Sequence, residues 1–103
     1  MIIYNITSQV APEVQENWLE WMQTYYIPKV LSIDLFEDIT IFKVSMDQPM
    51  DPTFATQYKA TSKEILQRYL NTEGHHHKKE MQDKFGEQVL SFETHLEFVS
   101  KQS

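Results

Sequence analysis

The sequence predicts an α+β fold in which helices cover one face of a four-stranded antiparallel sheet. Three observations carry this prediction: a β-favourable segment at residues 1–7, an amphipathic helical segment directly after it, and the downstream order strand, strand, helix, strand. The order β-α-β-β-α-β repeats one supersecondary unit twice, and such units pack as a single sheet under helices. We therefore expect residues 1–103 to form one domain.

The first helix is predicted from its start and from its apolar spacing. Pro12 suits a first helical turn, and Glu13 is favourable at the positive helix end. A broad apolar stripe recurs at helical spacing. Its members are Val14, Trp18, Trp21, Met22 and Tyr25. Pro28 disfavours helical geometry at the residue before it, so we expect the helix to end or kink at Ile27. Such a stripe is more often core than a binding surface.

The second half of the chain follows the same logic. Residues 35–44 and 54–60 are predicted strands joined by a connection at residues 47–52, as in an antiparallel hairpin with a long loop. Thr61 and Glu64 fit a capping box for the next helix, which residues 71–74 interrupt. A second helical piece covers residues 75–85, and residues 89–99 alternate as the last strand. The result is a ferredoxin-like domain.

Composition excludes several classes of function. The formal net charge is −6, which opposes binding to the phosphates of nucleic acids. The absence of cysteine excludes disulfides and thiolate metal sites, and no apolar run approaches the roughly 20 residues of a membrane span. With two glycines, no phosphate-binding loop is recognisable, so we expect no cofactor, no nucleic-acid or membrane partner, and a cytoplasmic protein.

The sheet face without helices is predicted to be mixed rather than polar. We expect it to carry Ile3, Asn5, Thr7, Gln57, Lys59, Glu93 and His95, together with one of two apolar sets from the second strand, either Phe36, Thr40, Phe42 and Val44 or Leu35, Ile39 and Ile41. A monomer would then expose a large apolar patch, which favours a homodimer formed sheet on sheet. Two such sheets can enclose a cavity for a small molecule.

Several polar side chains are candidates for a site. His75, His76 and His77 suggest a metal, but neighbours on a helix point about 100° apart and cannot converge on one ion, so we expect no metal site. Asn5 and Gln57 can orient a carbonyl-containing ligand or simply pair across the sheet. The candidate ligand-binding residues are Asn5, Trp18, Tyr26, Gln57 and His95.

Five segments resemble a small bacterial family described as a domain of unknown function. They are Met1-Ile-Ile-Tyr-Asn5, Trp18-Leu-Glu-Trp-Met22, Ile27-Pro28, Gln57-Tyr58 and Lys84-Phe-Gly86. The resemblance extends over nearly the whole chain. In architecture that family is similar to dimeric α/β barrels, which include cofactor-free antibiotic-biosynthesis-type monooxygenases, haem-degrading relatives and ligand-binding proteins. The resemblance implies a histidine before Ile27-Pro28, and this chain has Tyr26 there, which favours binding over proton chemistry.

Three hypotheses about function follow. The first is a homodimer that binds a small apolar or amphipathic molecule between sheet and helix, without chemistry of its own. The second is a cofactor-free monooxygenase in which Trp18, His95 and Asn5 hold a small aromatic or phenolic substrate. The third is a protein that only assembles, with itself or with another protein.

Overall fold

A computed structural model describes residues 1–47 and 50–103 and confirms the predicted ferredoxin-like fold. The predicted connection at residues 47–52 includes Gln48 and Pro49, which lie outside the described residues. The strands are β1 (Ile2–Val10), β2 (Asp38–Lys43), β3 (Thr53–Ala60) and β4 (Val89–Glu97). The main helices are α1 (Gln15–Trp21), α2 (Ile27–Ser32), α3 (Lys63–Asn71) and α4 (Glu73–Phe85). None of the described helices is long and apolar enough to cross a membrane.

The four strands form one antiparallel sheet in the order β2-β3-β1-β4. β1 and β3 are therefore the inner strands, and β2 and β4 are the edges. Tyr4 lies opposite Tyr58 of β3 on one side and opposite His95 of β4 on the other. Because side chains alternate between the faces of a strand, this register fixes which residues share each face.

The first helical segment changes geometry before its proline. A π-helical turn at Met22–Tyr26 joins α1 to α2, and helical structure continues to Ser32. Of the two alternatives predicted at Ile27, an end or a kink of the helix, the end is therefore wrong: the helical geometry changes just before Ile27, and the chain stays helical. A π-helical turn directly before Pro28 changes the hydrogen-bonding register at the point where a proline ring disrupts a regular α-helix, so the chain stays helical. The same turn sets the direction of Tyr26.

The boundary of α3 also differs from its prediction. Ser62 is the N-cap, and its hydroxyl accepts the amide hydrogen of Ile65 at 3.2 Å. The capping box predicted from Thr61 and Glu64 is therefore not formed. The cap lies one residue later, because serine is at least as good an N-cap as threonine, and the residue three positions after it is Ile65, whose side chain cannot return the hydrogen bond. The predicted interruption between the helices is confirmed: Thr72 separates α3 from α4.

The hydrophobic core lies between the helices and one face of the sheet. Phe36, which we considered for the uncovered face, belongs to this core, because its ring contacts those of Tyr58 and Tyr69 at centroid distances of 5.2 and 4.8 Å. The other buried apolar residues are Ile2, Tyr4, Val10, Trp18, Met22, Tyr26, Val30, Phe54, Tyr58, Ala60, Leu66, Tyr69, Phe85 and Val89.

Candidate functional site

The register divides the sheet into a helix side and an uncovered face. Tyr4, Tyr58 and their alternating neighbours lie on the helix side. The uncovered face carries Asp38, Thr40 and Phe42 of β2, Ala55, Gln57 and Lys59 of β3, Ile3, Asn5 and Thr7 of β1, and Leu90, Phe92, Thr94 and Leu96 of β4. The predictions for β1 and β3 are confirmed, and the second strand contributes Thr40 and Phe42 while Ile39 and Ile41 face the helices.

The prediction for the last strand is wrong. Glu93 lies opposite Ile6 and His95 opposite Tyr4, so both face the helices rather than the open side. Lysines of the helices reach this polar edge: Lys78 of α4 pairs with Glu93 and Lys63 of α3 with Glu97. The polar set of β4 therefore faces the helices with ion-pair partners within reach, and the apolar set faces outward.

A pocket lies on the helix side, between β1, β4 and α4, and we call it the sheet-helix pocket. Its volume is about 260 Å³. Its lining residues are Ile6, Tyr26, Lys78, Met81, Gln82, Gly86, Val89, Ser91 and Glu93. An apolar wall with a few polar groups is the usual composition of a small-molecule site.

Tyr26 is the buried polar residue of this pocket, with 3% of its surface exposed. Burial raises the pKa of its hydroxyl well above the usual value, Glu80 adds to the shift, and the Tyr58 hydroxyl partly opposes it. Tyr26 therefore stays protonated at physiological pH and can donate a hydrogen bond but cannot act as a base. π-helical turns occur often at functional sites, and here one ends at this residue.

Glu93 and Lys78 bring opposite charges to the pocket. Their side chains form an ion pair at 2.6 Å that joins β4 to α4. Burial raises the pKa of the Glu93 carboxyl, and His95 opposes that shift. Because both partners are partly exposed to solvent, water screens the pair, and its contribution to stability is small.

A second polar group, outside the pocket lining, packs beside Tyr26. The hydroxyl of Tyr69 and Nδ1 of His77 are 2.7 Å apart, and the His77 ring lies 5.9 Å from that of Tyr26 between centroids. Burial lowers the pKa of His77, and Lys29 adds to that effect. From the sequence we considered His77 only as one of three adjacent histidines, although its spacing from Met81 and Phe85 already indicated the buried stripe of α4.

The uncovered face has a polar centre. Asn5 lies opposite Gln57, and its Nδ2 donates to Oγ1 of Thr7 at 3.3 Å and of Thr94 at 3.2 Å. Asn5 Oδ1 is buried and has no hydrogen-bond partner among the described residues. Around this centre the apolar side chains are exposed, with Phe92 the most open at 66%.

The five predicted site residues therefore do not form one site. Trp18 is buried against the ring of Phe54 at 5.2 Å, and Tyr26 and His95 are also on the helix side. Asn5 and Gln57 are on the other face of the sheet. Within one chain, Trp18, His95 and Asn5 cannot surround one substrate as the monooxygenase hypothesis required.

His95 contacts a separate groove rather than the sheet-helix pocket. Its ring meets that of Tyr4 edge-on at 5.5 Å, and it shares the groove with Lys63 and Glu97. Across residues 1–47 and 50–103, no group of three His, Asp or Glu side chains is arranged to hold a metal ion. His75 and His76 are both exposed on α4.

Comparison with solved structures places the fold among small ferredoxin-like proteins. An ethyl tert-butyl ether D family protein from Bacillus halodurans has a TM-score of 0.68 at 17% identity, covering 91% of this chain and 97% of its own. A putative antibiotic biosynthesis monooxygenase from Deinococcus radiodurans has a TM-score of 0.72 at 13% identity, covering 100% and 97%. A dimeric ferredoxin-like protein from an uncultured marine organism has a TM-score of 0.70 at 17% identity, covering 100% and 99%.

These TM-scores establish a shared fold, and sequence identities this low do not carry an activity from one protein to another. No curated protein sequence matches this chain. The family model described as "Domain of unknown function (DUF4286)" matches residues 1–99, which is nearly the whole of the sheet and the helices described above. The chain therefore belongs to the DUF4286 family of domains of unknown function.

Proposed function

We propose that this protein is a homodimer joined through the uncovered faces of two sheets, as in a dimeric α/β barrel. We further propose that each copy binds a small amphipathic molecule in its sheet-helix pocket, without transforming it. The single observation that carries the binding proposal is the sheet-helix pocket itself, where a buried hydroxyl and an ion pair lie beside an apolar wall.

Two features of the uncovered face support the homodimer. Its edge strands expose Phe42, Leu90, Phe92 and Leu96, each with about half of its surface or more in water. Clusters of exposed apolar side chains mark interaction surfaces, and a second copy is the commonest partner. In addition, the buried Asn5 Oδ1 would gain a donor at such an interface, which favours pairing. Two of the solved neighbours are described as dimeric.

The binding proposal is tested by thermal stability in the presence of a small-molecule library. A binder present at a hundred times its dissociation constant should add about 2.7 kcal/mol to the free energy of unfolding. Met81→Trp places a bulky ring in the pocket wall and should abolish the stabilisation. Met46→Trp adds the same ring at an exposed position outside the pocket and should preserve it. Binding that survives Met81→Trp, or a library without any binder, contradicts the proposal.

A second candidate function is cofactor-free oxidation of a phenolic substrate in the same pocket. The Glu93 carboxyl favours it, because a raised pKa suits the acceptance of a phenolic proton. This function predicts oxygen consumption with hydroquinones that is lost in Glu93→Gln and retained in Glu97→Gln, whose side chain lies outside the pocket. No oxygen consumption by the unmodified protein would exclude it for those substrates.

A further inference from the structure

The polar side chains of the sheet-helix pocket differ in how many of their hydrogen-bonding groups already have a partner. Ser91 forms a hydrogen bond with Ser8 at 2.9 Å, and Lys78 is paired with Glu93 at 2.6 Å. Gln82 is exposed to water. Tyr26 is the buried member of the set, and its oxygen accepts a hydrogen bond from the Tyr58 hydroxyl, which is why Tyr58 lowers its pKa. The hydrogen of the Tyr26 hydroxyl is therefore the group that can gain a partner from a ligand.

The ion pair decides which ligand charge the pocket tolerates. Lys78 and Glu93 neutralise each other in the pocket lining, so an anionic ligand must lie beside the Glu93 carboxylate and a cationic ligand beside the Lys78 ammonium. Either ligand would have to separate the pair or accept a like-charge neighbour in a partly desolvated site. An uncharged ligand leaves the pair intact.

The Tyr26 hydroxyl determines which polar group on an uncharged ligand the pocket favours. Its hydroxyl stays protonated because burial raises its pKa, so it offers a hydrogen and needs an acceptor. The remaining wall is apolar and is formed by Ile6, Met81 and Val89, which suits a hydrocarbon body.

We propose that the sheet-helix pocket selects uncharged molecules that combine an apolar body with one hydrogen-bond acceptor, such as a ketone or an amide carbonyl, held by the Tyr26 hydroxyl. This inference rests on the proposed ligand-binding function and names its ligand class. It assigns the choice of ligand charge to the Lys78–Glu93 pair and the choice of acceptor to Tyr26.

Four ring compounds of nearly equal size and shape separate these two roles. Acetophenone carries an uncharged acceptor, α-methylstyrene replaces its oxygen by a CH₂ group, benzoate is an anion and benzamidine is a cation. Dissociation constants are measured by NMR titration of the full-length protein. We expect acetophenone to bind about 2- to 10-fold more tightly than α-methylstyrene, the range for one net hydrogen bond. Benzoate and benzamidine should bind more weakly than acetophenone.

Variants assign each preference to its residue. Tyr26→Phe should reduce the ratio of the affinities for acetophenone and α-methylstyrene to about one. Tyr25→Phe should preserve that ratio, because the exposed Tyr25 hydroxyl donates to Glu80 outside the pocket. Glu93→Gln should increase the affinity for benzoate relative to that for acetophenone, and Lys78→Ala should increase the relative affinity for benzamidine. Lys79→Ala is the control for both, since Lys79 pairs with Asp83. The amide NMR spectrum of each variant verifies that it is folded.

The outcomes separate this inference from the proposed function. Tighter binding of benzoate or benzamidine than of acetophenone, with shifts at pocket residues, overturns the inference and keeps the pocket as a binding site. An unchanged acetophenone preference in Tyr26→Phe also overturns it. The absence of pocket shifts with all four compounds overturns both proposals.

Discussion

The two faces of the same sheet differ in what completes them. On the helix side, Tyr4 and Tyr58 are covered by the chain's own helices, and even the polar edge of β4 is reached by lysines of α3 and α4. On the uncovered face, no helix of the described residues lies over Phe92, which is 66% exposed, although its immediate neighbours Ser91 and Glu93 face the helices. One strand thus serves an internal pocket with one set of side chains and an external surface with the other.

This difference shows that hydrophobicity alone does not identify the buried face of an edge strand. In β4 the apolar alternate residues point away from the helices, which is the arrangement expected if the proposed second copy covers them. The helix side tolerates charged residues there because an edge strand is only partly covered and complementary lysines are within reach. Four predictions test this contrast.

The largest effect is expected from removing a large core side chain. Trp18 is fully buried against Phe54, so Trp18→Ala should lower the free energy of unfolding by about 3–5 kcal/mol. Phe92→Ala, on the exposed face, should cost less than about 1 kcal/mol at protein concentrations low enough to favour monomers. Urea denaturation of both variants measures the difference. Equal losses would show that the two faces are equally buried within one chain.

The second effect concerns self-association. Phe92→Lys should weaken the homodimer by at least about a hundred-fold, or about 2.8 kcal/mol, because a symmetric interface receives the charge twice. Met50→Lys introduces the same charge at an exposed position outside the sheet and should leave association unchanged. Sedimentation equilibrium measures both. A dimer unaffected by Phe92→Lys would place its interface elsewhere.

The third effect is a pH dependence that belongs to the helix side. Burial lowers the pKa of His77, so the unfolded state binds a proton that the folded state resists. Stability should therefore be complete above about pH 6.5 and fall as the pH decreases below it, by at most about 1.4 kcal/mol per pH unit. Lys29 and His76 oppose protonation, and Glu73 and Glu80 favour it.

Denaturation curves between pH 5 and 8 measure this dependence. His77→Gln should reduce the slope, while His76→Gln, at the exposed neighbouring position, should retain it. A slope that is the same in both variants would assign the titration to another group.

The smallest effect compares two threonines on opposite faces. Thr56 Oγ1 is buried on the helix side without a hydrogen-bond partner among the described residues, so Thr56→Val should raise stability by up to about 1 kcal/mol. Thr94 Oγ1 accepts from Asn5 on the uncovered face, and Thr94→Val should lower stability by about 0.5–1 kcal/mol. Thermal unfolding of the two variants gives the signs, and equal signs would contradict the assigned environments.

Sequence patterns predicted the fold well because the hydrophobic periodicity and the helix- and strand-breaking residues agree along the chain. The alternation of β1 and β3 and the interruption at Thr72 correspond to the observed elements. The predicted apolar stripe is confirmed at Trp18 and Met22 but not at Tyr25, which is 41% exposed. Of the two outcomes predicted at Ile27-Pro28, the end of the helix is wrong, because a proline rule based on regular α-helices does not anticipate a π-helical turn. That turn ends at Tyr26, which lines the pocket.

The pocket could be predicted only in part. Tyr26 was a candidate from the resemblance, but Glu93 and His95 were assigned to the wrong face, because period-2 alternation separates two faces without saying which one is covered. Lys78 was not a candidate, since its role depends on a contact between α4 and β4 that is distant in sequence. Register and helix placement, not residue type, decide these positions.

The most direct test of the account uses two isoleucines of β1 that point to opposite faces. Ile6 lines the sheet-helix pocket, whereas Ile3 lies on the uncovered face opposite Lys59 and Leu96. Intermolecular NOEs between bound acetophenone and methyl-labelled protein report which face holds the ligand. The account predicts NOEs to the methyl groups of Ile6 and Met81 and none to Ile3 or Leu96. NOEs to Ile3 and Leu96 without any to Ile6 would contradict it and would place the ligand between the sheets.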